Sequence, residues 1–148
     1  MLASFGTVLE LPSSVDGVRV RTLAAYAMVS YTYLNTLVIP DSVETIEPYA
    51  FYDKVHLRRV NLPQGLTVIP EGVFSRCIGL TGIVIPDGVT SIGESAFSSC
   101  KSLTSINIPD GVTSIGDNAF GWCENLTSVA IPKGVKSIGN NAFARCES

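Results

Sequence analysis

The residues of this chain best suited to chemistry are four cysteines, Cys77, Cys100, Cys123 and Cys146, and they stand 23 residues apart. Thiols pair as disulfides in an oxidising compartment or gather around zinc. Zinc-binding cysteines come in closely spaced pairs, which these are not. If the units stack, neighbouring cysteines would lie about 4.8 Å apart, within disulfide range, but parallel side chains in a stack point the same way. The column therefore reads as a ladder of free, buried thiols acting as compact hydrophobes, with Tyr31 and Lys54 in the same place in earlier units. The single histidine, His56, has no repeated partner and reads as a surface residue. Ser91, Ser114 and Ser137 follow the same period, which marks them as members of a pattern rather than nucleophiles. Neither a G-x-x-x-x-G-K-[ST] loop nor a G-x-G-x-x-G turn is present. With no nucleophile beside a base, no paired carboxylates and no metal cluster, the chain reads as a non-enzyme with no cofactor and no metal.

Everything else keeps the beat of the cysteines. Pro40, Pro63, Pro86, Pro109 and Pro132 are also 23 residues apart, and units begin at Leu34, Leu57, Leu80, Leu103 and Leu126. The consensus is L-x-x-I-x-I-P-x-G-V-x-x-I-x-x-x-A-F-x-x-C-x-x. A column of one residue type must meet its own copies when units stack. The Phe column (Phe51, Phe74, Phe97, Phe120, Phe143) is unbroken, and Val73 is the one exception in the Ala column before it.

The stretch around I-x-I-P alternates inward and outward residues, the period of a half-buried strand. Proline ends it, having no N–H for a ladder. Gly65, Gly88, Gly111 and Gly134 follow, where a tight turn is expected to need freedom from a Cβ. V-x-x-I forms a second extended side, and A-F-x-x-C is expected to make one helical or 3₁₀ turn. One coil cannot bury its apolar residues alone, whereas stacked coils can. Six strands would make a parallel sheet about 24 Å across. The fold class expected is thus an α/β solenoid, with a parallel sheet on one face and short helical turns and extended segments elsewhere.

The first unit is atypical: Leu9-Glu10-Leu11-Pro12 matches Leu37-Val38-Ile39-Pro40 across 28 residues, not 23. Five extra residues fall within Ser13–Arg19, and Val20, Leu23, Ala27 and Met28 rejoin the columns. Residues 1–33 read as an N-terminal capping repeat and 34–148 as five 23-residue repeats. The chain stops where a sixth Leu would begin, so a piece of a longer array is expected. An uncapped end favours self-association.

These columns resemble the BspA-type leucine-rich repeat, in residues 34–148 almost column for column, and Leu11–Gly17 resembles the usual first unit of such arrays. The asparagine of ordinary leucine-rich repeats is absent, and Ser42 and the glycines stand there instead. The resemblance implies a right-handed solenoid and surface-exposed proteins of host-associated microbes, some of which attach to matrix or plasma proteins.

A net charge of −3 argues against nucleic acid, which asks for a strongly basic face. No apolar run is long enough for a membrane span. Met1–Phe5 lacks the features of a signal peptide, and surface or secreted localisation would belong to the parent protein. The outward strand positions give a flat strip, Arg58, Arg59, Asn61, Thr81, Val84, Thr104, Ser105, Asn107, Thr127 and Ser128, suited to an extended protein partner. Trp122 is a candidate anchor. Lys54, His56, Arg58, Arg59 and Arg76 form a basic cluster that would suit an acidic protein or a glycan. Asn125-Leu126-Thr127 matches the N-glycosylation pattern. Two readings follow, an adhesion-type protein-binding module and a structural spacer that projects another domain.

Overall fold

The computed structural model describes residues 7–147; the readings of Met1–Phe5 and of Ser148 lie outside the described residues. The chain winds through six coils. The first holds β1 (Thr7–Glu10), β2 (Ser14–Val15), β3 (Val18–Arg19) and β4 (Thr22–Leu23). The second holds β5 (Leu34–Val38) and β6 (Thr45–Ile46), and the third β7 (Arg59–Asn61) and β8 (Val68–Ile69). The fourth has only β9 (Ser91–Ile92). The fifth and sixth carry β10 (Ser105–Asn107), β11 (Ser114–Ile115), β12 (Ser128–Ala130) and β13 (Ser137–Ile138).

Pairing between coils is parallel and in register with the repeat: Leu37 faces Val60, Ile106 faces Val129, and Ile92 faces Ile115. The column residues fill one continuous core, except in the last coil, where Ile131 and Ile138 are exposed. Phe51, Phe74, Phe97 and Phe120 are fully buried, and with Phe143 they stack at 5.2–5.5 Å between ring centroids. Phe74, Phe97 and Phe120 each pack on a copy of themselves above and below, which is why the column holds phenylalanine in every coil after the first.

Three expectations need correction. First, the described residues contain no helix, so the architecture is an all-β solenoid, not α/β. The segment expected to be helical is a run of turns with two left-handed residues in each coil after the first, which has one. Tyr26, Tyr49, Gly72, Ser95, Asn118 and Asn141 form one such column, and Asp53, Arg76, Ser99, Trp122 and Arg145 the other, with φ of 53–63°. Left-handed backbone costs about 1–2 kcal/mol per residue with a Cβ. Inter-coil bonding offsets it: Tyr49, Phe51 and Asp53 donate their N–H groups to Glu71, Val73 and Ser75 at 2.9–3.1 Å. Each such bond contributes about 0.5–1.5 kcal/mol. A helical turn would aim those N–H groups along its own coil and leave the next coil's carbonyls unpaired.

Second, the strand side is not one six-stranded sheet. It is a three-stranded sheet, β1-β5-β7, and a two-stranded one, β10-β12. Leu80–Pro86 between them is extended but unpaired as a strand, although Leu80 and Ile85 stay in the core. Gly82 stands there in the column of Thr36, Arg59, Ser105 and Ser128. Glycine weakens a strand interior by about 0.5–1 kcal/mol through the entropy it loses. The second side is also interrupted, between β4-β6 and β8-β9-β11-β13. Gly93, Gly116 and Gly139 each donate an N–H to the preceding coil's Ile69, Ile92 and Ile115 at 2.8 Å. The equivalent residue facing Ile46 is Pro70, which has no N–H to give.

Third, the glycines after the prolines are not held by backbone conformation. None of Gly65, Gly88, Gly111 and Gly134 is left-handed. A Cβ on Gly65 would meet nothing within 4 Å. The turn closes through the valine column instead, Val89 N–H to Pro86 O at 3.1 Å for example. Glycine is required sterically elsewhere, as at Gly93 and Gly116, where a Cβ would stand 2.6 Å from Glu71 N and 2.5 Å from Glu94 N, and likewise at Gly79 and Gly139.

The five extra residues of the first unit fold out as an antiparallel hairpin, β2-β3, turning at Asp16-Gly17. Both turn residues have positive φ, 50° and 79°, which suits an Asp-Gly hairpin turn.

Candidate binding surface

The strip positions lie where the strands put them. Arg59 and Asn61 project from β7, Ser105 and Asn107 from β10, and Ser128 from β12, all exposed. Arg58, Thr81, Val84, Thr104 and Thr127 are exposed beside them, the apolar Val84 at 79%. Some of these side chains also stitch the stack. The hydroxyls of Thr81 and Thr127 donate to the carbonyls of Arg58 and Thr104 at 3.4 and 3.2 Å. The hydroxyls of Thr90 and Thr113 do the same on the second side, at 3.3 Å each. Trp122 is not on this face. It occupies a left-handed position in the turn run, half exposed, with its N–H on Ala144 O at 2.7 Å.

The basic cluster breaks up. Lys54 is buried, in the cysteine column, with its ammonium donating to Val29 O at 3.4 Å. Arg76 pairs with Asp53 at 3.2 Å. His56 stacks on Tyr33 at 5.2 Å, one unit away in the same column. Arg58 and Arg59 remain exposed and, among the described residues, enter no ion pair. The side-chain amide of Asn125 donates to Lys101 O at 2.6 Å, so its nitrogen is engaged by the neighbouring coil.

The thiols answer the first chemical question. Sγ of Cys77, Cys100 and Cys123 donates to the carbonyls of Phe51, Phe74 and Phe97 at 3.2 Å, and Cys146 to Phe120 at 3.3 Å. Each thiol thus reaches back one coil rather than toward another sulfur. Burial pushes Cys77 and Cys123 up to about 12 and Cys100 well above its usual value. A thiol held protonated is a poor nucleophile and a poor ligand.

The six-copy BspA type leucine rich repeat region matches residues 21–148. The chain belongs to the BspA-type leucine-rich repeat family. A leucine-rich repeat protein from T. pallidum is 31% identical, with a TM-score of 0.79, and the alignment covers 96% of this chain and 77% of that one. A leucine rich cell surface protein from Faecalibacterium prausnitzii A2-165 is also 31% identical, with a TM-score of 0.65, over 94% of this chain and 45% of that one. The pneumococcal vaccine antigen PcpA shares the fold at 23% identity and a TM-score of 0.77, over 95% and 38%. The chain thus spans most of the first relative and less than half of the other two. Comparison with curated proteins gives no match. Repeat arrays of this family are generally non-catalytic scaffolds, and the described residues include no helix long and apolar enough to cross a membrane.

One group was missed in the sequence. Tyr26 and Tyr49 share a column and stack at 6.0 Å, and Tyr52 meets both edge-on at 6.3 and 5.8 Å. The Tyr49 hydroxyl donates to Glu71 at 2.8 Å, and that bond, with some burial, pushes its pKa up to about 12. The 23-residue spacing of Tyr26 and Tyr49 was the available signal.

Proposed function

We propose that this chain is a surface-displayed, adhesion-type module that binds protein through its strand face. The observation that carries the reading is the open strip itself, small polar side chains with two uncompensated guanidiniums, Arg58 and Arg59, at one end. An extended partner with acidic residues, such as a host matrix or plasma protein, suits this surface, because solenoid faces hold extended chains. The relative described as a cell surface protein supports display on the cell. Residues 1–33 act in this reading as the capping coil, with Leu23 and Met28 closing that end of the core. The test is direct binding of the chain to immobilised matrix and plasma proteins. Saturable binding weakened by an Arg58→Ala/Arg59→Ala double variant is expected. Failure to bind, or a double variant equal to the wild type, would remove the strip from consideration.

A spacer role is favoured by a different observation, the unbroken stack of phenylalanine rings that ties every coil after the first into one stiff body. It predicts that the array can be replaced by another of equal length without loss of the parent protein's activity.

A further inference from the structure

A cleft of about 320 Å³ opens between the first two coils in the turn run, away from the strand face. Tyr26 and Tyr52 wall it, Val29 and Thr32 line it, and Lys54 and Asp53 complete it. Tyr26 is 52% exposed, yet packing against Tyr49 and Tyr52 fixes its ring. Lys54 is 8% exposed and makes one long hydrogen bond, 3.4 Å to Val29 O. Among the described residues no carboxylate pairs with it, since Asp53 is taken by Arg76. A buried ammonium has three protons to place and is costly without a counter-charge. In the later units this position is cysteine, whose thiol needs only one carbonyl.

We infer that this cleft is a binding site for a carboxylate-bearing sugar. The buried ammonium meets the carboxylate. The tyrosine faces meet the apolar face of the ring. The Thr32 hydroxyl and the free acceptor capacity of Asp53 meet ring hydroxyls. The volume sits at the small end of ligand pockets and suits one ring rather than a length of peptide. No open strand edge lies there for a peptide to extend. This site is independent of the strand-face reading, and either stands without the other.

The test is an amide NMR titration of the whole chain with glucuronate, glucose and benzoate. Glucuronate is expected to shift the amides of residues 26–32 and 50–55, with glucose weaker by about tenfold or more, the value of a hydrogen bond to a charged group. Lys54→Cys installs the residue found in the later units, so the coil is expected to fold, and glucuronate should fall to the level of glucose. Lys54→Met gives the same comparison if the thiol variant is poorly folded. Tyr26→Ser, at a half-exposed position, should weaken both sugars. The inference is overturned if glucuronate leaves these amides unmoved. It is also overturned if its effect follows Arg58 and Arg59 rather than Lys54, or if benzoate binds as well as glucuronate.

Discussion

Phe97→Ala tests the stacking that holds the coils together. Phe97 is fully buried, with its ring centroid 5.5 Å from that of Phe74 and 5.2 Å from that of Phe120. Truncation of a buried phenylalanine costs about 3–5 kcal/mol through lost transfer energy and the cavity left behind. The upper part of that range applies here, because both neighbouring rings are held by their own coils and cannot collapse inward. Phe143 supplies the control. It is only half-buried and stacks on one ring, Phe120, at 5.3 Å. With a single ring neighbour and solvent already beside it, Phe143→Ala should cost about half as much. Urea unfolding followed by circular dichroism gives both values. With a slope of about 2 kcal/mol per molar, the Phe97 midpoint should fall by about 2 M. Equal losses for the two variants, or a loss below about 1 kcal/mol for Phe97, would show that ring-on-ring burial is not what couples the coils.

Gly93→Ala should destabilise by about 1–3 kcal/mol, since its Cβ would strike the Glu71 backbone. Gly65→Ala should be neutral or stabilising by about 0.4–1 kcal/mol; thermal melts that reverse this order would refute the assignment of which glycine is steric. Because the thiol pKa is raised on folding, the folded chain holds protons that the unfolded chain releases, so stability is full below about pH 9 and lost as pH rises toward about 12. Cys77→Ala should flatten that decline, and a wild-type midpoint unchanged between pH 8 and about pH 10.5 would contradict it. Thiol-labelling at neutral pH should modify Cys146, the half-buried member, well before Cys77, Cys100 or Cys123. Pro70→Gly restores an N–H opposite Ile46, and hydrogen exchange should find that amide protected.

The period and the core columns were legible because a column that meets its own copies can hold only residues that pack on themselves. The Phe, Ile and Val positions all lie where the repeat puts them. The turn run was not legible as A-F-x-x-C alone. Its conformation is set by N–H groups seeking carbonyls in the next coil, a partner invisible within one unit. Asn118 and Asn141 in a shared column were a hint, since asparagine tolerates left-handed backbone. The basic cluster misled because Lys54 was grouped with its sequence neighbours. Its column, shared with four cysteines, already assigned it to the interior. The tyrosine cleft lies across two units at variable positions, where a consensus carries no information.

The direction of the bonds between coils has an electrostatic consequence. On the second side each N–H points back to the preceding coil, as Gly116 does to Ile92; in the turn run it points forward, as Phe97 does to Ala119. The two sets of peptide dipoles oppose one another along the axis, whereas in an α-helix they add to about half an elementary charge at each end. A stack built this way accumulates little polarity as it lengthens. Units can therefore be added without an electrostatic penalty that grows with number.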